Sequence, residues 1–334
     1  MNIIQMTENF KNKTEHEKRW LFGDKSPVYY VKNKKELKFL IENGFDINEK
    51  DKTGKNALFY VQTKSIANEL IKLGIEIIPE DDEGNNIFFY CPKGMISFFK
   101  NLGIDINKQN KKGETALFKA NVVITKELIK NGINIHIKDN IGNSALFFGT
   151  VNKKRELLKN GIDINCVNNK GCNALFSCSD LDETRYLVES GINVHQRCLL
   201  GYNALKALQP INAIEYLLKN TDINPNDFIE YKNKGSLIFG MHPEKIELFL
   251  KYGVDVNVKN SQGKNALFYV PSEAAAEILI KHGIKVNHFL EKRKKPFNNP
   301  NIEKLIEELS VKEQQIDLEK LLNNNNSNVK KKRI

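Results

Sequence analysis

The sequence predicts an all-α solenoid of eight or nine short helix-turn-helix units with short hairpin fingers between them, and three observations predict it. Glycine recurs ahead of a run of Asn, Ser or Thr and then Ala-Leu-Phe, starting at Gly54, Gly84, Gly113, Gly142, Gly171, Gly201, Gly235 and Gly263 in steps of 30, 29, 29, 29, 30, 34 and 28 residues. A second glycine series, Gly44, Gly74, Gly103, Gly132, Gly161, Gly191, Gly253 and Gly283, closes a leucine-rich run, with Thr221 standing in once. The two series keep one register, and a fixed period of this kind marks units that bury their apolar faces only against their neighbours.

Each unit divides into three parts. Asn56, Asn86, Thr115, Ser144, Asn173, Asn203 and Asn265 share one position, and each carries a side-chain oxygen able to accept from the first unbonded amides of a helix. The apolar residues behind them, such as Ala57, Leu58 and Phe59, are then the first turn of a short helix facing the next unit. Runs such as Glu127-Leu128-Ile129-Lys130 place paired aliphatics one turn before a glycine, where a left-handed residue without a Cβ ends a second helix. The remaining segment, Asp163 through Lys170 in one unit, is too short for a helix and rich in turn formers, so it reads as an extended finger or hairpin.

Residues 168–175, NNKGCNAL, and 158–165, LKNGIDIN, resemble the two signatures of the ankyrin repeat in the correct order, and the resemblance covers about 26–287. It implies a stack of helix pairs that binds other proteins. The chain departs from the family's pattern in three ways. Ala replaces the Pro of Thr-Pro-Leu except at Pro27, and Phe59, Phe89, Phe118, Phe147, Phe176 and Phe268 replace its His. The first helix or the loop after it is clipped by about three residues.

In chain order, residues 1–25, with Trp20, form an N-terminal capping segment, and 26–287 form the array. Residues 288–322 form a linker and C-terminal helical cap in which Ile302, Leu305, Ile306 and Leu309 keep helical spacing and Leu318, Leu321 and Leu322 suggest a second segment. Residues 323–334 are a basic tail, disordered by composition. The interval from Gly201 to Gly235 is the longest, and insertions in such arrays map to loops, often on a binding face.

Candidate partner contacts fall at positions where the repeat is free to vary. Lys111, Lys112, Ile141, Arg197, Leu199 and Leu200 lie in fingers, where Ile141, Leu199 and Leu200 either pack against an adjacent finger or anchor a bound protein, and Phe228 and Tyr231 lie in the long interval, either as contacts or folded back. Tyr60, Tyr90 and Phe148 follow the Phe, the position that faces the concave groove in ankyrin repeats; with the first helix clipped, burial between units competes with that role.

Net charge is +10, but 288–334 carry +4 of it, so the repeats are only mildly basic. Phosphate binding needs a concentrated basic stripe, which disfavours nucleic acid as a partner. No apolar run approaches the ~20 residues of a membrane span. The opening lacks the apolar core of a secretory signal, so a cytoplasmic protein is expected, with specialised secretion into a host cell left open. Five cysteines without paired spacing fit buried, reduced thiols, and no cofactor or metal is expected.

No phosphate-cradling loop, nucleophile elbow or His-Glu-x-x-His run occurs. The 25 residues before the array and the 47 after it are too few to bury a catalytic core. The expectation is a non-enzymatic, monomeric interaction module whose partner is a protein, acidic if the basic fingers steer it. A bacterial or viral host-directed effector and a neutralising partner of a toxin both fit; a nucleic-acid-binding protein or an effector enzyme fits less well.

Overall fold

The computed structural model describes residues 26–78, 80–226, 236–286, 304, 306–316 and 318–319. Among them every regular element is helical, apart from one isolated antiparallel bridge between Lys138 and Ser144. The expected hairpin fingers are therefore corrected: each finger is a tight turn, too short to support a ladder of its own.

Nine long helices recur among the described residues: α1 (Lys34–Glu42), α2 (Lys64–Lys72), α3 (Ile96–Asn101), α4 (Val122–Lys130), α5 (Val151–Lys159), α6 (Leu181–Glu189), α7 (Ile211–Asn220), α8 (Pro243–Lys251) and α9 (Glu273–Lys281). A single helical turn precedes most of them, as Ala57–Tyr60 precedes α2 and Ala145–Phe147 precedes α5. The clipped first helix is thus one turn, mostly 3-10. It can be no longer, because the chain turns extended at once, as at Val61, to reach a second cap. That cap is Asn33, Thr63, Asn121, Asp180 or Ser272, whose side-chain oxygen accepts from an amide of the long helix behind it.

Each long helix ends as its glycine requires. At Gly74 the amide donates to Ile71 O at 3.1 Å and the Ile75 amide to Leu70 O at 3.0 Å, a pairing that needs a left-handed residue, and φ there is 87°. Thr221 cannot adopt that conformation cheaply. Its φ is −132°, and its hydroxyl donates to Leu217 O at 2.7 Å instead.

The chain divides into two compact units, Met1–Asn169 and Lys170–Ile334. In the first, α1 packs on α2 and α4 on α5, with Leu37, Leu40, Leu70, Phe99, Leu128 and Leu157 fully buried. In the second, α6, α7, α8 and α9 pack in succession around Leu187, Leu217, Phe249 and Leu279. The second unit also carries helical residues 306–316, where Ile306 is buried and Glu313 accepts from the Val286 amide at 3.0 Å. Ile302, Leu305, Leu321, Leu322, Trp20 and the basic tail lie outside the described residues.

One position in the long helices departs from an apolar core. Aligned on the closing glycine or its stand-in it is Glu36, Ile66, Met95, Ile124 and Lys153 in the first unit and Glu183, Ala213, Lys245 and Ala275 in the second. Glu36 accepts from the Lys32 amide at 2.9 Å and Glu183 from the Ser179 amide at 3.1 Å. Lys153 instead donates to Phe118 O at 3.0 Å, and Lys245 to Leu208 O at 2.6 Å. Burial depresses both lysines, Lys153 to about 7, with Lys154 and Lys119 adding like charge to the latter.

Candidate interaction surface

The surface that varies between layers is built from one turn. In Asp51–Gly54 the Asp51 carboxylate accepts from the amides of Thr53 and Lys55 at 2.8 and 3.1 Å, and the Gly54 amide donates back to Asp51 O at 3.0 Å. Asp81, Asn110 and Asp139 repeat the arrangement. In the second unit Cys198 takes the place of that residue. The turn keeps its backbone bonds and gains Arg197 Nη1 on Gly201 O at 3.1 Å.

Successive turns are joined by one backbone bond each. Asp82 N donates to Thr53 O, Lys111 N to Glu83 O, Asn140 N to Lys112 O and Asn169 N to Ile141 O, all at 2.9–3.0 Å; in the second unit Leu199 N donates to Lys170 O at 2.8 Å. These rungs consume the backbone at the turn centres, so the two central side chains project outward. They are the exposed residues Lys52 and Thr53, Asp82 and Glu83, Lys111 and Lys112, Asn140 and Ile141, and Leu199 and Leu200. A fixed scaffold thus presents a variable pair per layer.

The signs along the row in the first unit alternate: a lysine, two acids, two lysines, then a neutral pair. Lys111 also donates to Asp82 O at 2.6 Å, so part of its charge is turned back onto the neighbouring turn. No uniform basic stripe results, and a strongly acidic partner gains little from this face.

A second connection runs just beneath the tips, between the residue after the glycine and the first residue of the next turn. Lys55 meets Asp81 at 3.6 Å, Asn110 Nδ2 donates to Asn85 Oδ1 at 2.8 Å, and Asn168 Nδ2 donates to Asn143 Oδ1 at 2.9 Å. Burial alone would raise the Asp81 carboxyl, but hydrogen bonds from the Tyr90 hydroxyl and Asn85 outweigh it and hold the group below the usual carboxylate range.

The aromatics expected to line a groove sit between layers. The Phe position of one layer meets the following position of the next: Tyr29 with Tyr60 at 4.9 Å, Phe59 with Tyr90 at 5.9 Å, Phe118 with Phe148 at 5.5 Å and, in the second unit, Phe239 with Tyr269 at 5.1 Å. The Tyr60 hydroxyl donates to Asp51, the Tyr90 hydroxyl donates to Asp81 at 2.5 Å, and the Tyr269 hydroxyl accepts from Asn260 at 2.6 Å. Burial first, then these carboxylates, raises Tyr60 and Tyr90 well above the usual phenol range. Tyr60, Tyr90 and Phe148 thus contact the preceding layer, while Tyr60 and Phe148 stay half-buried and Tyr90 is 41 % exposed. Phe228 and Tyr231 lie outside the described residues.

The Asn caps do more than their spacing suggested. Asn56, Asn86 and Asn173 accept through Oδ1 from the amide two residues on, and through Nδ2 they donate to Glu76, Asp105 and Asn193 O at 2.7–2.8 Å. One side chain thus ties the leading turn to the segment after the long helix. Thr115 and Ser144 are too short for both tasks and make no cap bond; the Thr115 hydroxyl is buried without a partner, and the Ser144 hydroxyl meets Cys166 Sγ at 3.0 Å. Asn265 donates to Lys285 O at 2.8 Å but makes no cap bond either.

Cys91, Cys172, Cys178 and Cys198 are buried, Cys166 is half-buried, and none is in a disulfide. Burial pushes the Cys91 thiol up to about 12. His195 pairs with Asp222 at 2.9 Å on the surface, and His136 is exposed. Among the described residues no three His, Cys, Asp or Glu side chains gather as metal ligands. No helix among them is long and apolar enough to cross a membrane. No family model matches the chain, and no curated protein matches it.

Proposed function

We propose that the chain is a variant ankyrin-type repeat protein that works without catalysis, binding a protein partner through the outward side chains of its turn tips. The observation that carries this reading is Leu199 and Leu200, 70 % and 56 % exposed on a turn whose backbone is bonded internally and to the preceding turn. Ile141, 55 % exposed, holds the matching place on a turn of the first unit. Exposed aliphatics held on a rigid frame lose little conformational freedom on binding and are suited to anchoring a partner. The rungs at these turns use backbone atoms of Ile141 and Leu199 and leave the three aliphatic side chains exposed. Order of parts within each unit, leading turn, long helix, left-handed glycine and tight turn, supports the family reading.

The test is capture of partners from native extract by the wild-type chain and by Leu199→Ser/Leu200→Ser, with circular dichroism to confirm folding. Loss of a captured protein at unchanged thermal stability supports the reading. Identical capture by both chains removes this turn from it.

A further inference from the structure

The connection beneath the tips is an ion pair or an amide pair at three junctions of the first unit. In the second unit the same two positions are Cys172 and Cys198. Leu199 N donates to Lys170 O at 2.8 Å, Gln196 Nε2 donates to Gly171 O at 2.8 Å, and Cys198 Cα lies 3.5 Å from where a Cβ on Gly171 would be. This register sets Cys172 and Cys198 side by side on adjacent turns, both buried. The Tyr202 hydroxyl is a further neighbour of Cys198.

We propose that Cys172 and Cys198 form a reversible disulfide that staples the turn carrying Leu199 and Leu200 to the turn before it. Turns held this close by a 2.8 Å backbone rung place the two residues where a disulfide can span them after a small approach. Both cysteines lie on turns joined by a backbone rung, not inside a packed helix. The oxidant is a low-molecular-weight disulfide. One cysteine thiolate attacks it, releasing one small thiol and leaving a mixed disulfide on the protein. The second thiolate attacks the protein sulfur of that mixed disulfide and expels the other small thiol. Two protein thiols lose two protons and two electrons, and the reagent disulfide is reduced to two thiols. At 8 % and 6 % exposure both cysteines are buried, and burial first, then Cys198, pushes the Cys172 thiol up to about 11, so the dithiol persists at rest and oxidation proceeds slowly.

The experiment uses the full chain with all five cysteines, equilibrated in mixtures of reduced and oxidised glutathione at a temperature where the native state opens transiently. Free thiols are then alkylated under acid quench, and peptides are mapped by mass. The expected product is one internal disulfide linking the peptides of Cys172 and Cys198. Its melting temperature should lie above that of the dithiol form, with a folded-to-unfolded ratio raised roughly 100-fold by closing the loop between them. Cys178→Ser should retain the linked peptide and Cys172→Val should lose it. Two thiols serving only as small apolar filler give a different result: glutathione adducts without a linked peptide, random pairings, no oxidation, or a linked form that melts lower. Any of these overturns the proposal.

Discussion

Lys153→Met is expected to stabilise the chain at neutral and mildly acidic pH and to flatten its dependence on pH. Lys153 is 1 % exposed, and its ammonium donates to Phe118 O. Burial first, and then Lys154 and Lys119, pulls it from the ordinary 10.5 down to about 7. Between those two values the unfolded chain binds the extra proton, so stability rises with pH across that window and the cost is fully present below about 7. A depression of that size is about 5 kcal/mol at the acid end, and about 2–3 kcal/mol of it is relieved between about pH 6 and about pH 9. Methionine keeps the long stem but leaves the Phe118 carbonyl without this donor, which costs ~1–3 kcal/mol at every pH. The variant should therefore exceed the parent by about 2–3 kcal/mol near pH 6 and match it near pH 9. Urea unfolding of both chains at several pH values, followed by circular dichroism, reads this directly. The other titrating groups cancel in the difference between the two curves. Curves that run parallel from pH 6 to pH 9 would mean that Lys153 is charged in the folded chain and the reasoning fails.

Three further outcomes follow from the turn geometry. Asn86→Ala removes both a cap bond and the bond to Asp105 O in a buried setting, so it should destabilise by about 2–3 kcal/mol in thermal or urea unfolding. The converse change, Thr115→Asn, supplies at a position with an unpartnered hydroxyl the two bonds made elsewhere, and should stabilise by about 1 kcal/mol in the same assay. Gly142 and Gly161 both have φ above 75°, yet a Cβ at Gly161 meets open space while one at Gly142 lies 2.7 Å from Asn169 N. Gly161→Ala should cost about 1–2 kcal/mol from backbone strain alone, and Gly142→Ala more, by the ~1 kcal/mol or greater of a lost rung. Equal losses would show that the rung from Asn169 to Ile141 carries no stability.

Much of the architecture was legible because it follows from local chemistry repeated many times. A glycine that ends a helix needs a positive φ whatever surrounds it, and every described glycine of the two series has one, from 73° to 88°. Helix order, unit length and the shortened first helix are set by cap and stop residues at fixed spacing, which a one-dimensional pattern records. No ladder forms in the finger because it keeps only the bonds of one tight turn, such as Gly54 N to Asp51 O, while those at its tip leave it. Its backbone is satisfied by the adjacent turn about 29 residues away, and a single-unit reading cannot register that bond.

Residue pairings across layers were decided only by the fold. Spacing named Asn86 as a cap but could not show that its amide also reaches Asp105 O, nor that Tyr90 is bonded to Asp81 and packed on Phe59. Two buried lysines, Lys153 and Lys245, look like solvated helix residues in the sequence, and only the neighbouring turn's carbonyl gives each a place inside. Five cysteines read as thiols without paired spacing, and the juxtaposition of two of them, Cys172 and Cys198, exists because adjacent turns stack in register. By itself the sequence determined what each layer is made of, since propensity, capping and turn conformation act over a few residues. Tertiary structure alone decided which side chains the stacking consumes and which it leaves outward, because that depends on contacts between segments one repeat apart.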